Sequence, residues 1–302
     1  MTEAAIQCRG LTKRIGRRII LRGIDLDVER GEVFGFLGPN GAGKTTTIRT
    51  LLGLSRISNG SARILGEAVP LTAATQSRVG AMAEEPAFYP WLSGRMNLAV
   101  LLHKAPSDPR LDEVMERTGI LGAAEQRVKT YSHGMRQRLG LALALCGDRD
   151  VLILDEPANG LDPSGVRDIR LLLREAADQG TAVFVSSHQL SEVERACDRA
   201  AILVGGRVVK AGTISELGGD EGAVQVQVGA EERERALAIL GAHGARLEAD
   251  GTIALSGVSG HEVSRLLGEA GIYPESVSQL RSSLEERFLS VTEESVDAAS
   301  RR

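Results

Sequence analysis

The sequence predicts an α/β fold: a parallel sheet covered by helices, preceded by antiparallel strands and followed by a small α+β C-terminal domain. Three observations carry this. From Val151 to about Gly212 apolar runs alternate with amphipathic stretches, "VLILD", "GVRDIRLLLREAADQG", "TAVFVSS", "LSEVERACDRA" and "AAILVGGRVVKAG", and strand alternating with helix builds a parallel sheet. A glycine-rich loop, "GPNGAGKT" from Gly38 to Thr45, joins a buried strand to an amphipathic helix. Around Leu217 to Gly222 the text turns to glycine and acid, "LGGDEG", which marks a linker between domains 1–217 and 218–302.

The elements follow in order. From Ala5 to Gly31 short apolar runs alternate with Gly and Arg, as in "RIILRGIDLDVERGE", and read as antiparallel strands. "EVFGFLG" is a buried strand entering the glycine loop, and "TTIRTLLGL" is the helix that leaves it. From about Arg110 to Cys146 the apolar spacing is helical. Beyond the linker come strand "VQVQV", helix "EERERALAILGA", strands near "ARLEA" and "GTIALS", helix "GHEVSRLLGEA" and strand "IYPESVSQ". The order βαββαβ suits a ferredoxin-like domain. The last residues, "ESVDAASRR", read as a frayed end.

Composition excludes several classes. Of 302 residues 42% are hydrophobic, enough to build cores in two domains. Cys8, Cys146 and Cys197 stand far apart without a CxxC pair, which argues against a disulfide framework or zinc site and for a reducing cytosol. No apolar run approaches the roughly 18 residues that a membrane helix needs, and the start, "MTEAAIQCRG", lacks the pattern of a secretion signal. Net charge is −4, of which residues 220–302 carry −7. No basic stripe marks a nucleic-acid surface.

The glycine loop is a full GxxxxGK(S/T) match, the fingerprint of a P-loop NTPase. Its glycines let consecutive N–H groups face phosphates and the helix N-terminus adds a favourable dipole. Gly38, Pro39, Asn40, Gly41, Ala42, Gly43, Lys44, Thr45 and Thr46 thus form the expected nucleotide cradle, with Lys44 on the β/γ-phosphates and the Thr45 hydroxyl on magnesium. Downstream, "VLILDEPANGLDP" ends a greasy strand on two acids, Asp155 and Glu156. Such a pair is either solvated at the strand end or met by a cation. In the second case Asp155 sits beside Thr45 and holds magnesium, and Glu156 polarises an attacking water as general base.

Four further stretches follow in order: "EEPAFYPWLSGRMNL", "YSHGMRQRLGLALAL", "LDEPANGLDP" and "VFVSSHQLSEVE". With the phosphate loop they resemble the ATP-binding cassette (ABC) ATPases over about residues 5–217, most closely those of bacitracin-resistance, lantibiotic-immunity and antibiotic-export type. The resemblance implies a RecA-like core, an antiparallel β subdomain and a helical subdomain over about residues 86–146. It implies ATP and Mg2+ as ligands. "YSHGM" occupies the family signature, so Ser132 and the Gly134 backbone meet the γ-phosphate held by a second subunit, in a homodimer or ABC heterodimer. Asp162 corresponds to the loop that communicates across that interface. His188, by itself no more than a histidine near a helix start, takes the role of the switch histidine that orients Glu156.

Four positions depart from the family pattern. His133 and Met135 replace Gly and Gln in the signature, so contacts there fall to Ser132 and backbone N–H groups. Glu84 stands where a magnesium-contacting Gln is usual, and a carboxylate there either binds the metal more strongly or repels the phosphates. Ile15 lies about where an aromatic stacks on adenine.

The resemblance also implies a separate transmembrane permease, contacted near Phe88, Tyr89, Trp91 and Arg95, and a cytoplasmic chain held peripherally on the inner face of the cell membrane. Three of the nine aromatic residues fall between Phe88 and Trp91, so they either anchor a partner or fill the seam between subdomains. "SSLEERFLSVT" resembles the closing helix of such exporters. The function implied is ATP hydrolysis driving export of a drug, antibiotic or peptide. A non-transport ABC ATPase acting on ribosome or DNA is the alternative, though such relatives carry two cassettes or long insertions that this chain lacks.

Overall fold

The computed structural model describes residues 4–84, 86–218, 223–248, 250–255 and 257–280. The chain divides into two units, Met1–Ala211 and Gly212–Arg302.

The first unit opens with β1 (Ile6–Ile15) and β2 (Arg18–Val28), an antiparallel hairpin closed between Ile15 and Arg18. Ile6, Cys8, Leu11, Leu21, Ile24 and Val28 are fully buried, because alternate side chains of a strand share one face. β3 (Val33–Leu37) is buried at all five positions, the mark of a strand covered on both faces. Then follow the glycine loop, α1 (Lys44–Leu51), β4 (Asn59–Ile64), β5 (Glu67–Ala68), the short α2 (Ala73–Gln76) and β6 (Val79–Met82). Helices α3 (Gly94–Leu101), α4 (Pro109–Arg117) and α5 (His133–Leu145) come next, and α4 and α5 with two short 3-10 turns between them occupy the range whose spacing reads as helical. The unit continues with β7 (Val151–Asp155), α6 (Pro163–Asp178), β8 (Ala182–Ser187), α7 (Leu190–Ala196), β9 (Arg199–Val204) and β10 (Arg207–Thr213).

These strands form two sheets. One runs β2-β1-β4-β5, and the other β10-β9-β3-β8-β7-β6 with parallel pairing from β9 through β6. Alternation splits the central strands between two cores. Val151, Ile153, Ala182 and Phe184 pack with Ile6, Leu11, Leu21, Ile24 and Ile48 against the antiparallel sheet and α1. Leu152, Leu154, Val183 and Val185 pack with Leu139, Leu141, Ile169 and Leu173 against α5 and α6. Two glycines allow close approach: a Cβ at Gly80 would lie 2.2 Å from the Ala144 carbonyl oxygen, and one at Gly35 would lie 2.6 Å from Val193 Cγ1.

The second unit takes the last two residues of β10, then α8 (Ile214–Gly218), β11 (Ala223–Gln227), α9 (Arg233–Leu240), β12 (Arg246–Leu247), β13 (Ile253–Leu255), α10 (Gly260–Glu269) and β14 (Ser276–Leu280). Its antiparallel sheet runs β12-β13-β11-β14. Val224, Val226, Leu240, Ile253, Val263, Leu267 and Ile272 close a core of its own. The last strand starts at Ser276 rather than at Ile272, because Pro274 has no N–H to give a ladder. Residues 219–222 of the expected linker, the expected closing helix "SSLEERFLSVT" except its place in the sequence, and the end "ESVDAASRR" lie outside the described residues.

Candidate functional site

The glycine loop lies between β3 and α1, at the carboxyl edge of the parallel sheet, where α/β folds place their ligands. Gly43 caps α1 at φ 115°, a conformation closed to ordinary side chains, and a Cβ there would lie 2.9 Å from Leu21 Cδ2. The loop surrounds a cleft of about 430 Å3 lined by Pro39, Asn40, Gly41, Gly43, Lys44, Thr45 and Thr46, with Ile20, Glu84 and Glu156. Gly38 and Ala42 do not line it. A Cβ at Gly38 would lie 2.5 Å from the Leu203 carbonyl oxygen and Ala42 is buried, so both shape the loop from behind.

Lys44 is buried, donates from Nζ to the Gly38 carbonyl at 2.7 Å and stands 3.2 Å from Glu156 Oε1. Glu156 is 7% exposed and takes a left-handed backbone, φ 50°, rare for a residue with a side chain. Its other oxygen, Oε2, is 2.8 Å from His188 Nδ1. Its N–H donates to Ser186 Oγ at 3.0 Å, and that hydroxyl donates to Asp155 Oδ1 at 2.6 Å. The register explains the relay, since Asp155 pairs with Ser186 across β7 and β8. Ser186 was not singled out from the sequence, where a serine ending a strand looks ordinary.

Asp155 is reached by a different route from the one the sequence implied. β8 separates β7 from β3, so Asp155 is not on the strand next to the glycine loop. Instead α1 leans across the sheet and packs on β7, which brings the helix carrying Thr45 over that strand.

Ser132, Gly134 and Asp162 gather apart from this cleft. Ser132 caps α5, its Oγ accepting from the Met135 N–H at 3.2 Å. Asp162 caps α6 and is held below the usual carboxylate range by the Ser164 hydroxyl and the Gly165 N–H. A Cβ at Gly134 would lie 3.1 Å from Leu161 Cδ2, and one at Gly160 only 2.1 Å from His133 Cδ2. The start of α5 and the loop after Glu156 therefore pack together.

Ile15 stands 56% exposed at the β1–β2 hairpin and does not line the cleft, whereas Ile20, which sequence reasoning passed over, does. The group Phe88, Tyr89, Trp91 and Arg95 divides. Phe88 packs on the core as filler, while Tyr89 (41% exposed) and Trp91 (64%) lie at the surface with ring centroids 5.6 Å apart. Arg95 is paired within the chain to Asp112 and Glu125 and is no free anchor.

Further residues escaped the sequence. Gln137, fully buried, donates to the Glu84 carbonyl at 3.0 Å and so ties position 84 to α5. Glu192 lies near the same loop, with Ser187 Oγ 3.4 Å from its Oε2. Burial pushes its carboxyl up, the Ser187 hydroxyl opposes this, and the Glu156 charge adds to it. Only their three-dimensional neighbours distinguish these two polar residues from other helical ones.

Among the described residues no cluster of His, Cys, Asp and Glu forms a ready metal site, and no helix is long and apolar enough to cross a membrane.

The comparisons agree on a family. A model described as ABC transporter matches residues 21–159. The uncharacterised ABC transporter ATP-binding protein YdbJ of Bacillus subtilis is 41% identical over 300 residues, 97% of this chain and 96% of its own. The daunorubicin resistance ATP-binding protein DrrA3 of Streptomyces coeruleorubidus is 36% identical over 311 residues, 97% of each chain. A solved ATP binding subunit of an ABC transporter superposes with a TM-score of 0.64 at 25% identity, covering 70% of this chain and 91% of that one. With the glycine loop and Glu156 lining one cleft and His188 against Glu156, the chain belongs to the ABC transporter ATP-binding proteins, ATPases whose hydrolysis of ATP is coupled to transport.

Proposed function

We propose that this chain is the ATP-hydrolysing subunit of an exporter and drives a separate transmembrane permease by ATP-dependent closure of a dimer. The observation that carries it is Glu156, held between Lys44 and His188 at the cleft wall. A carboxylate so placed is a general base for water. Lys44 is the cation that meets the phosphates, and while they are absent Glu156 is its partner.

The donor set fits magnesium. Among the described residues Glu84 and Glu156 line the cleft with Lys44 as its one lining cation, so a triphosphate entering it meets two carboxylates and needs further positive charge. The Thr45 hydroxyl, the Asp155 carboxylate and Glu84 are the residues to hold that ion. When bound, magnesium neutralises phosphate charge. Asp155 is 1% exposed and hydrogen-bonded through Oδ1.

Ser132, the Gly134 backbone and Asp162 lie away from the cleft of their own chain, which supports their action on the nucleotide of a second subunit. Tyr89 and Trp91 are the exposed aromatic pair that an interface can bury, and we assign the permease contact to them. Drug or antibiotic export follows from the similarity to DrrA3, and the place on the inner membrane face follows from the permease. Ribosome- or DNA-directed action is the reading displaced.

The test is a tagged pull-down from native membranes in mild detergent, with mass spectrometry of what co-purifies. Recovery of a multi-helix membrane protein, lost in Y89A/W91A, is the expected result. Recovery only with ribosomes or DNA-repair factors from the soluble fraction would overturn transport.

A further inference from the structure

A second cavity, of about 490 Å3, opens between α6 and α7. Glu156 lines both it and the nucleotide cleft. Its floor is apolar: Ile169, Leu173, Val185 and Val193 all line it and are at least nine-tenths buried. Its rim is cationic, with Arg167 and Arg170 from α6 and Arg195 from α7. Among the described residues none of these three has an ion-pair partner, in a chain where Arg9, Arg78, Arg95, Arg138 and Arg174 are all paired.

Three guanidinium groups around one opening, without an ion-pair partner among the described residues, repel one another and attract an anion. The volume is that of a small-molecule site, and an apolar floor with few convergent polar groups is the usual makeup of one. Charge also fixes orientation. Glu192 and Ser187 line the end of the cavity beside Glu156, Arg195 lies about one helical turn beyond Glu192 on α7, and Arg170 about one turn beyond Val166 on α6. An anionic head is repelled from the first end and held at the second, which leaves the apolar body over the floor.

We propose that the α6–α7 cavity is a binding site for a soluble amphipathic organic anion, a carboxylate or sulfonate on an apolar body of drug size. Its head group sits on Arg170 and Arg195, with Arg167 beside them, and its body on Leu173, Val185 and Val193. The site goes beyond ATP hydrolysis and does not depend on the export reading. Because Glu156 forms a wall of both cavities, an occupant here and a nucleotide in the cleft are linked, and linkage acts equally in both directions.

The experiment is a titration of the full chain with 1-anilinonaphthalene-8-sulfonate, an amphipathic anion that fluoresces in apolar surroundings, with calorimetry for stoichiometry. One equivalent per chain is expected, retained at saturating ADP. R170E/R195E weakens it at least tenfold, R170K/R195K restores it, and neutral N-phenyl-1-naphthylamine binds at least tenfold more weakly than the sulfonate. V166W, which fills the cavity from α6 without touching the rim charge, excludes the dye while the melting temperature and ADP binding report an intact fold. Equal dye binding by R170E/R195E and wild type overturns the proposal. So does full displacement by ADP, which puts the dye in the nucleotide cleft, or loss of the dye in Y89A/W91A. Dye binding that vanishes as protein concentration rises also overturns it, because a second copy then covers the cavity. Failure of the nucleotide reading would show separately, as no ADP binding by the wild-type chain.

Discussion

Glu156 concentrates several costs in one residue. It is buried, carries a left-handed backbone, and is placed by a serine on the next strand. Such strain persists only where the surroundings impose it, and it gathers at functional sites. Here the surroundings are Ser186 on its N–H, Lys44 on one oxygen and His188 on the other. The same contacts make Glu156 a competitor of the phosphates for Lys44. Glu156→Gln therefore has two expected effects of opposite sense. Turnover falls by about 10²–10⁴-fold, the usual worth of a general base. ATP affinity rises by about five- to thirtyfold, because the lysine no longer gives up a charged hydrogen bond of roughly 1–2 kcal/mol. Steady-state hydrolysis and equilibrium binding of a labelled nucleotide read the two separately. Unchanged turnover removes the base role, and weaker binding removes the competition.

At the scale of elements, Asp150 joins the starts of three strands. It precedes β7 and accepts from Arg78, which precedes β6, and from Arg30, which lies just before β3. The Arg78 guanidinium holds its carboxyl below the ordinary range, burial opposes this, and Arg30 adds to the lowering. A depressed folded pKa means stability that is present above the unfolded pKa near 4 and lost as pH falls through the folded one. D150N is expected to cost about 1 kcal/mol at pH 7, as for a partly exposed pair. The gap from wild type should close as pH falls below about 4. Urea melts across that range check it, and a gap that persists undiminished at low pH means the carboxylate charge is not the source. How far such elements could be read in advance depended on burial. β3, β7 and β8 announced themselves as unbroken apolar runs because both their faces are covered, and the glycine loop was legible because phosphate binding dictates its spelling. β4, "NGSARI", and β6, "VGAM", were not recognised, since two inward side chains in so short a strand make no period. The Asp155–Ser186 relay was equally invisible, because it depends on which strand lies beside β7, and no local pattern encodes strand order.

On the scale of the whole molecule, hydrophobic burial is divided. The two clusters of the first unit draw on residues up to Leu203, and the cluster of the second begins at Val224. Cooperativity follows shared burial, so cores that share no residue can melt in separate steps. The chain contains one tryptophan, Trp91, in the first unit, which makes its fluorescence a reporter of that unit. Leu267 on α10 is fully buried in the other core. Leu267→Ala is expected to cost about 2–5 kcal/mol, enough in a unit of this size to lower its melting temperature by roughly 10 °C or more. Hydrogen exchange of the β11 and β13 amides should accelerate accordingly. The Trp91 transition and ADP affinity should stay at their wild-type values, because no atom of the first unit's cores is removed. A Trp91 transition that falls in step with the exchange rates would mean that the units unfold as one. The second unit would then serve as a stabilising part of the ATPase rather than a module with a core sufficient to itself.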